Sequence, residues 1–309
     1  MIGLGPIAYI LPEGRISNAD RLEKFQASEA LLRDKIGVEH VSVKPAEQET
    51  SDMCVDVARK LFDTGAVTPE DVECMVVVTQ NPDGHGLPHT AAIVHGKLGL
   101  ADKCAAFDIS LGCSGFVYAL SVMRGFMEAN GMRRGLLFTA DPYSKVVDTD
   151  DRNTAMLFGD GAAVALMTDA PDWRAAKFDF GTRGAAWESL RVRDDGKLFM
   201  NGRAVFQFSA KEVPKSVERV LAMNELTLDD IDRFVFHQGS KYIVTAIGRR
   251  LDIQDRAAFT ATCFGNTVSS SIPIALARDL TPTDRRVLIS GFGVGLSWAT
   301  TVLERTGSD

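Results

Sequence analysis

Thr68 to Val78, TPEDVECMVVV, aligns without a gap on Thr227 to His237, TLDDIDRFVFH, each an acidic turn running into an apolar strand. Just upstream, VARKLF (Val57 to Phe62) and VERVLA (Val217 to Ala222) carry similar helical patterns, one residue out of step. Downstream, RRGLLFTAD (Arg133 to Asp141) answers RRVLISGFG (Arg285 to Gly293), a basic lead-in to a buried strand. One match at one long separation describes a unit used twice, not a solenoid of many repeats. Helical patterns alternating with short β-branched runs predict an α/β chain of layered sheets covered by helices. At 309 residues there is chain enough for two such units, each with a sizeable core.

Composition removes several classes of function. A net charge of −7 and a pI near 5.4 argue against general nucleic-acid binding, which needs a surface that neutralises phosphate. No run is apolar for the length of a bilayer span. MIGLGPIAYILPEGR lacks a basic leader and its apolar run is broken by Gly and Pro, so it predicts a first strand and turn, and a cytoplasmic protein. The five cysteines (Cys54, Cys74, Cys104, Cys113, Cys263) are scattered with no CxxC pair, as in a reducing compartment without disulfides or a zinc site. His85 and His89 are spaced for a metal, but Gly86, Leu87 and Pro88 between them oppose a helix, so no metal site is expected.

Placed on the repeat, three polar residues fall at element junctions. Cys113 follows Gly112 in the first half, Asn266 follows Gly265 in the second, and His237 ends a strand. A pocket between the halves would gather them. Behind Cys113, Phe116, Leu120, Met123 and Met127 recur at helical spacing until Asn130-Gly131, a C-terminal stop. A thiol at such a helix start faces unpaired N–H groups and the positive dipole end, which predicts a lowered pKa and a nucleophile. Packing as a small buried residue is the competing account. His237 is equally readable as a buried imidazole bonded to a carbonyl, and Asn266 as a turn or N-cap residue.

FDISLGCSGFVYAL, FGDGAAVALM, FHQGSKYIV, FGNTVSSSIP and GFGVGLSW, in that order, resemble the signature blocks of the β-ketoacyl-[acyl-carrier-protein] synthase III family of the thiolase superfamily. That branch combines Cys, His and Asn where elongating synthases have Cys, His and His. Degradative thiolases carry a second cysteine in the last block, which GFGVG lacks. The resemblance implies a thiolase-like five-layered αβαβα fold of two pseudo-repeated halves, 1–168 with Cys113 and 169–309 with His237 and Asn266. It implies an acyltransferase in which Cys113 takes an acyl primer from coenzyme A and condenses it with malonyl-acyl carrier protein by decarboxylation. Backbone N–H groups of Cys113 and Val294 would form the oxyanion hole, with His237 and Asn266 on the malonyl thioester oxygen. Acyl-CoA, acyl carrier protein and a second copy of the chain are the implied partners, and no metal or redox cofactor is implied.

Several positions depart from the family pattern. Gly239-Ser240 stands for Ala-Asn, Leu31 for a tryptophan and Lys35 for an arginine on the coenzyme A side, while Arg152 keeps the other arginine there, unless it is only a solvated charge. Leu87 and Phe292 are placed on the acyl pocket, and Leu87 in place of phenylalanine predicts a medium-chain or branched primer. Arg249 and Arg250 match the basic helix that receives the carrier protein, although two arginines at a helix C-terminus also suit its dipole. Two other outcomes stay open: transfer to a small-molecule acceptor in secondary metabolism, and an acyl-binding subunit without turnover.

Overall fold

Both copies of the repeat fold alike down to their hydrogen bonds. Thr68 and Thr227 each open a 3₁₀ turn through a reciprocal capping box, with Asp71 and Asp230 respectively. Just beyond, the Glu73 carboxylate accepts from the N–H groups of Arg133 and Arg134 at 2.6 and 3.0 Å. The Asp232 carboxylate accepts from those of Arg285 and Arg286 at 2.7 and 2.8 Å. These clamps set the register of the parallel strand pairs that follow.

The computed structural model describes residues 1–307. The first half contains β1 (Gly3–Ile10), β2 (Gly14–Ser17), β3 (His40–Val43), β4 (Cys74–Val78), β5 (Ala105–Ile109), β6 (Arg134–Ala140) and β7 (Ala162–Thr168). The second contains β8 (Trp173–Thr182), β9 (Leu190–Val192), β10 (Leu198–Met200), β11 (Arg233–Phe236), β12 (Arg286–Gly293) and β13 (Ser297–Arg305). Helices are α1 (Glu29–Leu31), α2 (Thr50–Phe62), α3 (Thr90–Leu98), α4 (Gly115–Ala129), α5 (Arg152–Ala155), α6 (Gly202–Met223), α7 (Lys241–Leu251) and α8 (Ser271–Asp279).

The main sheet runs β11-β12-β13-β8-β1-β7-β6-β4-β5, and its halves meet only where Leu4 pairs with Trp173. β4 lies parallel to β5 and β6, and β11 parallel to β12. Among the described residues no strand beyond β11 answers β5, so the copies diverge at that edge. CMVVV of β4 is buried at every position, as a parallel strand covered on both faces must be.

Layering follows from which helices touch which strands. α2 and α3 cover the first half's sheet, and α6 lies on the second half's with α7 against it. α4 touches β4, β6, β12 and β13, and α8 touches β1, β7, β11 and β12, so these two helices are packed between strands of both halves. This is the αβαβα order. Phe116, Leu120, Met123 and Met127 of α4 are all buried, each worth about 1.5–3 kcal/mol of apolar burial. α4 stops at Asn130, with Gly131 left-handed at φ +67°, as the Asn-Gly pair predicted. No helix among the described residues is long and apolar enough to cross a membrane.

Candidate active site

The chain leaving β5 turns at Leu111-Gly112 and presents Cys113 two residues ahead of α4. The end of β12 runs directly against this turn, which only glycine permits. A Cβ on Gly291 would lie 2.7 Å from the Cys113 carbonyl oxygen, and one on Gly293 would lie 2.6 Å from Cys113 Sγ. The backbone N–H of Val294 faces the sulfur and favours its charged form. Ser297 holds this loop: its Oγ donates to the Val294 carbonyl at 2.9 Å and lies 2.8 Å from Ser114 Oγ.

His237 follows the last residue of β11, and its N–H donates to the Ser290 carbonyl on β12 at 2.9 Å. The ring sits edge-on to Phe292 with centroids 5.6 Å apart, and its Nδ1 is 2.7 Å from Ser271 Oγ at the start of α8. The Gln238 N–H already donates to that serine oxygen at 3.5 Å. With the serine hydrogen pointed at Nδ1, the imidazole proton lies on Nε2.

Asn266 is reached through Gly265, left-handed at φ +83°, where a Cβ would meet the Leu157 carbonyl at 2.8 Å. Its backbone forms a bridge to Phe158, and its Oδ1 accepts the Val268 N–H at 2.9 Å. The turn role foreseen for this residue thus occupies one end of its amide. Among the described residues Nδ2 has no protein partner, so that donor is available to a ligand.

Cys113, His237, Asn266 and Phe292 line one cavity of about 160 Å³. Burial dominates its electrostatics. It pushes the Cys113 thiol up to about 12, against the opposing Val294 N–H, and drives the His237 imidazole down to about 3. The expectation of a thiol acidified by its helix is therefore corrected: Cys113 precedes the helical turn and desolvation outweighs the dipole. Both groups are neutral in the free site.

The other predicted positions are dispersed. Lys35 lines the cavity with its Nζ 3.4 Å from the centroid of Tyr242, whose ring stacks on Phe206 at 4.8 Å. Leu31, in α1, and Arg152, the exposed first residue of α5, do not line it. Leu87 is 92% exposed in the single chain and lines neither the cavity at Cys113 nor the one beside Gln80 and Tyr143. Arg249 and Arg250 lie together on the exposed surface of the last turn of α7. Ser240 caps α7, accepting from the Ile243 N–H at 3.3 Å, and a Cβ on Gly239 would stand at ordinary contact, 3.4 Å, from the His237 ring. Ser240 thus serves as the helix cap, and an alanine would fit at Gly239.

Sequence reasoning missed Ser271, Tyr242, Phe206, the buried Asp141 and Tyr143, and the half-buried Gln80 beside them. Asp141 had a signal, since the repeat aligns it with Gly293, but nothing local marks the others as facing the site. Among the described residues, no three His, Cys, Asp or Glu side chains gather as for a metal ion.

A twice-built αβαβα chain with cysteine, histidine and asparagine around one buried cavity is a condensing enzyme of the thiolase fold. Residues 107–184 match the family description 3-oxoacyl-[acyl-carrier-protein] synthase III, and residues 221–305 match its C-terminal part. The chain is 32% identical to the β-ketoacyl-[acyl-carrier-protein] synthase III of Streptococcus pneumoniae, across 97% of this chain and 98% of that one. A crystal structure of the corresponding Thermus thermophilus synthase superposes with a TM-score of 0.90 at 31% identity, covering 99% and 100% of the two chains. The priming β-ketosynthase of the R1128 polyketide pathway superposes at 0.87 with 27% identity, covering 98% of this chain and 96% of that one. The chain belongs to the β-ketoacyl-[acyl-carrier-protein] synthase III family, and it is an acyltransferase of the condensing type.

Proposed function

We propose that Cys113 is the acylated nucleophile of a decarboxylative condensation between an acyl-CoA primer and malonyl-acyl carrier protein. The observation that carries this is the convergence of Cys113, His237 and Asn266 on one buried cavity. Sulfur attacks the primer thioester, the new S–C bond replaces that to coenzyme A, and the thiol proton leaves with the coenzyme A sulfur. The Val294 and Cys113 N–H groups hold the oxyanion of that addition. The malonyl thioester then loses carbon dioxide, and its enolate oxygen is held by His237 Nε2–H and Asn266 Nδ2–H. The enolate carbon attacks acyl-Cys113, the C–S bond breaks, and the released thiolate takes a proton from solvent to restore the thiol. No step calls on a metal or redox cofactor.

The site opens past Lys35, Tyr242 and Phe206, and we assign this mouth to the coenzyme A arm, with Arg152 and Leu31 flanking it from α5 and α1. Arg249 and Arg250 receive the acidic carrier protein. Residues 1–168 and 169–309 act as the two half-domains of a cytoplasmic homodimer in which Leu87 and Phe292 bound the acyl pocket, Leu87 across the interface. A primer larger than acetyl, medium-chain or branched, fits a leucine there. The likeness to a polyketide priming ketosynthase supports a second setting for the same chemistry, in secondary metabolism.

The test is intact-protein mass after incubation with acetyl- through dodecanoyl-CoA, beside Cys113→Ala, followed by malonyl-acyl carrier protein. An adduct that needs Cys113 and is discharged as a β-ketoacyl product is expected. An adduct that ignores malonyl-acyl carrier protein would overturn the condensation and leave acyl transfer to another acceptor.

A further inference from the structure

A second cavity, of about 370 Å³, neighbours the first, walled in part by Gln80, Tyr143, Leu190, Leu198, Trp187 and Arg191. Leu190 lines both cavities, and Phe158 of the first packs on the Tyr143 ring with centroids 4.9 Å apart. Val294, whose N–H reaches Cys113 Sγ, also lines the second. An acyl chain on Cys113 therefore has this space beside it, while the first cavity leads out past Lys35.

Valine, leucine and tryptophan side chains make much of the wall of this second space, and a phenol and a carboxamide interrupt it. The Tyr143 hydroxyl is buried with its residue 4% exposed and lies 3.4 Å from Gln80 Oε1, well beyond the usual 2.7–2.8 Å of an O–H···O bond. Among the described residues Gln80 Nε2 has no partner. The pair is also held in place. Asp141 Oδ1 accepts the Gln80 N–H at 2.7 Å, and Gln80 Oε1 lies 2.6 Å from where a Cβ on Gly112 would stand, one residue from the nucleophile. Methylenes packed here would leave a phenol and a carboxamide poorly bonded, whereas one oxygen on the chain would satisfy both.

We propose that Tyr143 and Gln80 select a primer bearing a hydroxyl or carbonyl oxygen along its acyl chain over a plain hydrocarbon chain of equal length. The inference rests on the proposed acylation of Cys113 and names the substrate class of that step. A carboxylate is disfavoured because the buried Asp141 carboxyl lies directly behind Gln80, with Oδ2 unpartnered. The cation of this cavity, Arg191, stacks on the exposed Trp187 at 5.4 Å.

The experiment compares kcat/KM for Cys113 acylation by hexanoyl-CoA, 3-hydroxyhexanoyl-CoA, 5-oxohexanoyl-CoA and glutaryl-CoA, in the wild type, Tyr143→Phe and Gln80→Leu. At least one of the two neutral oxygenated primers should exceed hexanoyl-CoA by about tenfold or more, since a site that bonds a substrate oxygen rejects the analogue lacking it. Each variant should shift that ratio toward hexanoyl-CoA by about tenfold. Two variants guard against one that folds poorly, and the ratio is independent of the active fraction. Preference for hexanoyl-CoA, or a ratio that neither variant moves, overturns the proposal and leaves the pair bridged by water. Preference for glutaryl-CoA overturns it in favour of Arg191. Failure of every thioester to acylate Cys113 would instead sink the condensing function itself.

Discussion

The burial of Cys113 makes a prediction that opposes intuition about cysteines near helix starts. Burial raises its thiol to about 12, which leaves very little thiolate at neutral pH. At pH 7 roughly one molecule in 10⁵ carries the thiolate. Alkylation by iodoacetamide, followed site by site in peptide mass spectra from pH 7 to 10, reads this directly. The Cys113 rate should climb about tenfold per pH unit with no plateau. Cys263, the exposed cysteine, reports reagent activity in the same sample. Restricted access through the cavity lowers the rate equally at every pH, so the shape of the curve separates access from ionisation. An inflection near pH 7 would refute the reasoning, because it would mean that the N–H facing the sulfur outweighs desolvation and the thiolate pre-exists. Without that inflection, sulfur must lose its proton as it attacks, and the departing coenzyme A sulfur is the group that takes it up.

Gly293→Ala would place a methyl 2.6 Å from Cys113 Sγ, so acylation measured by intact mass should fall at least about a hundredfold while stability drops by about 1–3 kcal/mol in denaturant titration. Asp141 has its folded pKa raised by burial from 3.8 to about 6, so it holds its proton longer in the native state and costs stability as pH rises through that window. Asp141→Asn should therefore gain on the wild type by up to about 3 kcal/mol between pH 4 and pH 7, and an unchanged difference would contradict the assignment. Charge reversal at Arg249 and Arg250 should raise KM for carrier-borne malonate several-fold and leave Cys113 acylation from coenzyme A unaltered, whereas equal effects on both would count against docking there.

Much of this architecture was legible because local chemistry and global fold agree. The aligned acidic turns predicted matching strand entries, and the structure gives them matching capping boxes and backbone clamps. The junction logic nominated Cys113, His237 and Asn266, since a residue just past a buried strand or a glycine turn has few places to point, but it left a packing or turn role open for each, and the family resemblance supplied their roles. Other features were illegible for reasons of distance. Gln80 and Tyr143 are separated by 63 residues and meet only because β4 and β6 are neighbours, so neither carries a local mark. Ser271 reads as one of three serines at a helix start, and only the packing of α8 beneath β11 turns it toward His237. The thiol was misjudged because a helix dipole is a sequence-level inference while desolvation belongs to the finished interior.

That interior also accounts for the choice of neutral groups. Condensation on the proposed path creates negative charge twice, on the oxyanion at Cys113 and on the enolate oxygen near His237 and Asn266. A cationic imidazole would bind the enolate more strongly but would have to stay charged while buried, which its fall to about 3 shows to be unfavourable here. Fixed N–H dipoles avoid that cost. They act in a site that excludes bulk water, so their attraction for developing charge is little screened. The same exclusion protects an enolate carbon from protonation before it meets the acyl-cysteine. The glycines of β12 complete the arrangement by letting the Val294 N–H approach a sulfur that any side chain at Gly293 would cover. Reactivity here is thus placed in donors that a rigid backbone holds ready, and the cost of burial falls on a thiol that needs to be anionic only while it reacts.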